Sequence, residues 1–296
     1  MSYKFISGSM CASLTCSQVN LQSKKFVPKG MRKKIKGFSK DARRNLLWKL
    51  QSINYEELNA QLWHAYFITL TYQYSLDNEK EDFYFTWKGD LNLVKKDLKN
   101  FFDRLKYFFK KINVEWFAFW KMEFFSKALV PHFHLMLFVA PTDLINQRFL
   151  KEVISSMWVD TITNKTGVSS SLKERMYKAS TNVRYTPMNR YKILQVYISK
   201  EIGKEYQINV DGYTGRFWGI ENRKVYKRFH YEEVELISEE VFYKVRRIMK
   251  KYLRKKGYKS KIKSSNGMKL YYLDNVDDFK RLVGYFGEDY EKVNSG

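Results

Sequence analysis

Two histidines separated by one residue stand in Pro131-His132-Phe133-His134-Leu135, inside an otherwise apolar stretch. In a strand, alternation puts both imidazoles on one face and sends Phe133 into the opposite layer. Two ring nitrogens then converge on one point, and neutral imidazole ligates Mn²⁺, Fe²⁺ or Zn²⁺ through one nitrogen. Glu123 lies nine residues before His132, where a hairpin would bring its carboxylate opposite the pair. Two histidines and one carboxylate leave positions open on an ion, which suits a catalytic centre that polarises a phosphate oxygen. The competing readings are two strand histidines satisfied by their neighbours, and a Glu123 that forms a salt bridge with Lys121 or Lys127.

A second group is Tyr197-Ile198-Ser199-Lys200. At about 100° per residue, Leu194, Ile198 and Ile202 form an apolar helical stripe, and Tyr197, Lys200 and Lys204 share its flank. A phenol titrates near pH 10, so its attack on phosphorus needs nearby positive charge to favour phenolate. Lys200, one turn away, and a bound metal are the candidates. Among 22 tyrosines a single Tyr-x-x-Lys carries no weight alone.

The surrounding pattern supplies the elements that must hold these groups. Trp63 to Tyr74, rich in aromatic and β-branched residues, reads as a strand. Apolar residues recurring at three- and four-residue spacing from Leu91 to Ile112 predict a long amphipathic helix. Val114 to Phe125 and Phe133 to Val139 predict two hairpin strands. Helices are expected from Ser39, which can cap its own, over 143–158, and over Asn189 to Tyr206, with a short strand at Val183 to Pro187. The order β, α, β, β, α, β, α predicts an α+β fold, a central antiparallel sheet with helices on its faces, plus a basic helical C-terminal extension. That extension rests on a helix from Ser238 to about Lys256. No internal repeat is visible.

Lys and Arg number 54 against 31 Asp and Glu, a formal charge of +23, which implies a polyanionic partner and points to nucleic acid. The absence of an apolar run of about 18 residues argues against a membrane span, so the protein is expected to be cytoplasmic. Cys11 and Cys16 are the only cysteines, too few for a disulfide framework or a four-cysteine zinc site. No G-x-x-x-x-G-K-[ST] string occurs, which disfavours an internal ATP-driven helicase.

Phe67-Ile68-Thr69-Leu70-Thr71-Tyr72, then the His-x-His strand, then Tyr-x-x-Lys on a helix, is the motif order of the HUH endonuclease superfamily. The sequence resembles its rolling-circle replication initiators, those of bacterial plasmids and small single-stranded DNA phages. Phe38-Ser39-Lys40 through Leu47 and Gly215-Arg216-Phe217-Trp218-Gly219 extend the resemblance over roughly 38–220. The resemblance implies that His132, His134 and Glu123 hold Mg²⁺ or Mn²⁺, and that Tyr197 nicks single-stranded origin DNA, leaving a 5′-phosphotyrosine and a free 3′-OH. Lys200 would orient the phosphate or the tyrosine, and a host helicase and DNA polymerase would be partners. Some relatives carry a second tyrosine one turn on, where this chain has Glu201.

The expected organisation is a basic N-terminal arm over 1–38, an endonuclease domain over 39–230 and a basic DNA-binding segment over 231–296. Candidate DNA contacts are Lys204, Arg216 and Trp218, with Arg247, Lys250, Lys251 and Arg254 on the basic helix neutralising phosphates. A single-tyrosine HUH transposase, or a non-catalytic protein that binds single-stranded nucleic acid, are the alternatives. The first is usually shorter and lacks Gly-Arg-Phe-Trp-Gly; the second leaves the His, Glu and Tyr order unexplained.

Overall fold

The computed structural model describes residues 2–17, 38–72, 90–124, 130–163, 170–190, 216–255, 267–271 and 276–294. They fall into two units, Lys33–Arg44 with Tyr55–Phe229, and Met1–Arg32 with Asn45–Asn54 and His230–Gly296.

The first unit is built on a five-stranded antiparallel sheet. Its strands are β3 (His64–Thr71), β4 (Trp116–Phe124), β5 (Pro131–Val139), β6 (Thr181–Thr186) and β7 (Trp218–Glu221), in the order β6-β3-β5-β4-β7. One face is packed by α3 (Leu91–Lys111) and α4 (Gln147–Thr163), with α5 (Ser170–Ala179) beside α4. Helix α3 starts where Asp90 accepts a hydrogen bond from the Asn92 amide at 2.9 Å. It turns Val94, Leu98, Phe101, Phe102, Leu105 and Phe109 onto the sheet, the stripe its spacing predicts. Phe133, Leu135 and Leu137 meet that stripe from β5, and the Trp158 indole of α4 lies edge-on to Phe133 at 5.8 Å. Trp158 also donates to the Thr71 carbonyl at 3.0 Å, tying the end of β3 to the same helix.

The opposite face is divided along its strands. At one end Phe117, Phe119 and Phe138 are covered by α2 (Tyr55–Ala60) and α6 (Arg223–Phe229), through rings such as Tyr55, Tyr226 and Phe229. At the other end the same face changes to Lys121, Glu123, His132, His134, Thr69 and Thr71. A sheet apolar at one end and polar at the other along one face is a floor for a site.

The second unit differs from expectation. Residues 2–17, expected as part of a basic arm, form two strands instead, β1 (Ser2–Ser7) and β2 (Cys11–Ser17). These are the centre of a four-stranded antiparallel sheet, β8-β1-β2-β9, with β8 (Glu233–Ile237) and β9 (Gly267–Tyr271) at its edges. The reason is alternation: Tyr3 and Phe5 on β1, with Ala12 and Leu14 on β2, share one face and pack on α7 (Glu239–Lys255) and α8 (Val276–Asn294). The basic segment 18–37 of the expected arm lies outside the described residues. The segment 231–296 is thus one half of a sheet whose other half is the N-terminal hairpin. Helix α1 (Lys40–Gln51) starts as predicted, with the Ala42 amide donating to Ser39 Oγ at 3.1 Å. Among the described residues, no helix is long and apolar enough to cross a membrane.

Candidate metal centre

Hairpin register decides the site. On the β4–β5 ladder Glu123 stands opposite His132 and Lys121 opposite His134, while on the β3–β5 ladder Thr71 and Thr69 face the same two histidines. Directly opposed residues share a face, so all six side chains leave the sheet on one side. The expected trio is brought together: Glu123 Oε2 lies 3.5 Å from His132 Nε2 and 3.4 Å from His134 Nε2. All three candidate ligand atoms fall within 4.8 Å of one another.

These separations test whether the donors fit an ion. A strong charge-assisted hydrogen bond is shorter, about 2.7–2.9 Å. Two donors each about 2.1 Å from one ion lie roughly 3.0–3.4 Å apart across tetrahedral or octahedral angles. The hydrogen-bond partner of His134 points the same way. Its Nδ1 is 3.4 Å from Thr69 Oγ1, and a proton held there leaves the Nε2 lone pair aimed at Glu123. Lone pairs on Nε2 and Oε2 that face each other need a cation between them. Phe67 stacks on the His134 ring at 5.7 Å and fixes its plane.

Sequence reasoning gave Lys121 only as a competing partner for Glu123, yet both readings hold at once. The Lys121 side chain is wholly buried, with Nζ 2.5 Å from Glu123 Oε1 and 5.0 Å from the centroid of the Phe38 ring. One carboxylate oxygen is taken by the lysine, and the other faces the histidines. Burial alone would raise the Glu123 pKa, but hydrogen bonds with His132 and His134 and the Lys121 charge outweigh it and hold the carboxyl well below the usual range. The signal for Lys121 was its opposition to His134, which follows from the same hairpin register as Glu123.

The remaining candidates are scattered or undescribed. Trp218 is half-buried on β7, opposite Lys121 and so on the face of the metal centre, while Arg216 is exposed. Phe217 between them is buried in the core, its carbonyl accepting from the Met122 amide at 2.8 Å. Arg247, Lys251 and Arg254 form an exposed stripe on α7, with Lys250 half-buried beside it, in the second unit. Tyr197, Lys200 and Lys204, with the helix expected to carry them, lie outside the described residues.

Residues 65–206 match the family model of the replication-associated protein ORF2. That span holds all three motifs, so the resemblance to rolling-circle replication initiators is borne out. Among solved structures, the N-terminal nuclease domain of the minute virus of mice non-structural protein 1 is similar at 9% identity. It aligns over 46% of this chain and 72% of its own, with a TM-score of 0.27. No curated protein matches the sequence.

Proposed function

We propose, from the premise that residues 65–206 are of the replication-associated protein ORF2 family, that the chain is a rolling-circle replication initiator that nicks single-stranded origin DNA in a metal-dependent reaction. The observation that carries this reading is the convergence of Glu123, His132 and His134 inside the matched span. His132 and His134 would hold Mg²⁺ or Mn²⁺ through Nε2, and Glu123 through Oε2. The ion, when bound, polarises a non-bridging oxygen of the scissile phosphate.

The chain's own groups do the rest. Lys121 occupies Glu123 Oε1 and so restricts the carboxylate to one oxygen, which leaves room for phosphate at the centre. Thr69 and Phe67 keep His134 in the tautomer and plane that present Nε2. Tyr197 attacks phosphorus through its phenolic oxygen. The Tyr–O–P bond forms, the P–O3′ bond breaks, and the leaving 3′-oxygen takes up a proton as the phenol gives one up. Lys200, one turn from Tyr197, favours phenolate and steadies the phosphate. The resulting 5′-phosphotyrosine conserves the energy for rejoining, and the free 3′-OH primes a host polymerase working with a host helicase. With Glu201 one turn beyond the tyrosine, this is a single-tyrosine enzyme.

DNA is held by positive charge: Arg216 and Lys204 with Trp218 near the site, and Arg247, Lys250, Lys251 and Arg254 on α7, which makes the second unit a DNA-binding extension. The reading is tested by incubating single-stranded plasmid or phage origin DNA with the protein in Mn²⁺ or EDTA. Nicking in Mn²⁺ that disappears in EDTA and in His132→Ala supports it. Nicking that survives both would remove the metal centre from the reaction.

A further inference from the structure

The sheet carries a second concavity on the face opposite the histidines. A pocket of about 450 Å³ opens between α3 and the β4–β7 edge. Trp120 and Phe133 lie in its wall beside Leu98 and Phe102, and Lys95, Lys99 and Arg216 bring positive charge to it. The Trp120 indole is fixed there by two features. Its Nε1 donates to Glu221 Oε1 at 3.3 Å, and it lies so close over Gly219 that a Cβ at that position would meet the ring at 2.7–2.8 Å. Phe133 is the residue between His132 and His134, so the pocket backs onto the metal centre across one thickness of sheet.

An aromatic wall, a basic rim and one carboxylate suit a particular ligand. A pocket of this size accepts a small planar molecule, and every nucleobase has an apolar π-face that packs on aromatic side chains. Lys95 and Arg216 match the phosphate that accompanies a base. Lys99 is tied to Asp103 on its own helix, so it contributes less. The Glu221 carboxylate accepts from Trp120 through one oxygen, and a carboxylate can only accept. It therefore favours a base with an exocyclic amino group, cytosine, adenine or guanine, over thymine.

We infer that this pocket receives one base of single-stranded DNA, prefers an amino-bearing base, and anchors the strand on the face behind the metal centre. The inference rests on the reading of single-stranded DNA as the partner, and goes beyond it by giving the strand a specific base-binding site that the nicking reaction does not require.

The test uses the full chain and fluorescein-labelled eight-base strands of dC and dT, with binding followed by anisotropy at fixed salt. The wild type is expected to prefer the dC strand by about fivefold, the worth of roughly one hydrogen bond. Glu221→Gln, which can still accept from Trp120, should bring that ratio close to one. Lys95→Ala should weaken both strands by more than Lys106→Ala, the same charge change at an exposed position of α3 outside the pocket. A strand carrying one 2-aminopurine should be quenched by the wild type and not by a Val94→Trp variant that fills the pocket. If the strands bind but show no base preference, or if Glu221→Gln and Lys95→Ala behave like the wild type and Lys106→Ala, the pocket inference is overturned and the nicking reading stands. If no strand binds, both fall. Base preference that responds to Glu221→Gln in a protein that never nicks DNA sustains the pocket and removes the nicking reading.

Discussion

Replacing Lys121 by Met removes a charge and keeps most of the volume, so it isolates what the buried ammonium does for the metal centre. The side chain is 0% exposed, its Nζ stands 2.5 Å from Glu123 Oε1, and the Glu123 side chain is 15% exposed. Removing one partner of a buried pair costs about 3–5 kcal/mol, because the other charge is left uncompensated. Residual exposure and the two imidazoles beside Oε2 soften the loss, which places the expectation at the lower end, about 3 kcal/mol in EDTA. The same change has the opposite sign for a divalent ion. A repelling cation is gone and both carboxylate oxygens become available, so Mn²⁺ should bind at least about tenfold tighter, a gain of about 1.4 kcal/mol or more. Urea denaturation with and without Mn²⁺ reads both effects, since an ion bound only by the folded state adds to its stability. The variant should be the weaker protein in EDTA and recover more than the wild type on adding Mn²⁺. A variant within about 0.5 kcal/mol of wild type in EDTA, or one whose Mn²⁺ affinity falls, would refute the claim that Lys121 restrains Glu123.

Other substitutions probe separate links. His134→Ala should reduce Mn²⁺ binding at least about tenfold by calorimetry while leaving salt-sensitive binding of single-stranded DNA within about twofold, since phosphate contacts lie elsewhere; unchanged Mn²⁺ affinity would exclude His134 as a ligand. Gly219→Ala forces a Cβ against the Trp120 indole at 2.7–2.8 Å, and overpacking of this kind costs about 1–3 kcal/mol. A thermal midpoint equal to that of the wild type would show that the indole moves freely. Burial pushes the Cys11 thiol up to about 12, and Cys16 is only half-buried, so a disulfide reagent at pH 8 should label Cys16 first and Cys11 only on unfolding. An unfolded Cys11 titrates near 9, so the stabilisation from keeping it protonated is complete below that pH and is lost as pH rises towards 12. Equal labelling rates would contradict this burial.

The metal centre was legible because its signals are local. Alternation puts His132 and His134 on one face whatever surrounds them, and a short hairpin fixes which residue of β4 they meet. Helix α3 was legible for the same reason, its period being visible inside one segment. The sheet of the second unit was hidden: Tyr3 and Phe5 alternate with Lys4 and Ile6, but the strands and helices that give the alternation meaning begin more than 200 residues later. Nothing near Met1 distinguishes such a strand from a polar arm. Strand β7 was obscured differently, because Gly219 reads as a loop residue until the Trp120 ring that needs its missing Cβ is placed beside it. Lys121 was visible as a neighbour of Glu123, yet its complete burial depends on Phe38, 83 positions away.

The central claim is that Tyr197 becomes joined to DNA at a site prepared by His132, His134 and Glu123. It is tested most directly by reacting the protein with 5′- and 3′-labelled origin strands in Mn²⁺, separating the products under denaturing conditions, and mapping the modified peptide by mass spectrometry. The account predicts an adduct that retains the 3′ label, a released fragment ending in 3′-OH, and a nucleotide on the peptide containing Tyr197, all absent in Tyr197→Phe. An adduct that persists in Tyr197→Phe, or cleavage that leaves no protein–DNA linkage, would contradict it.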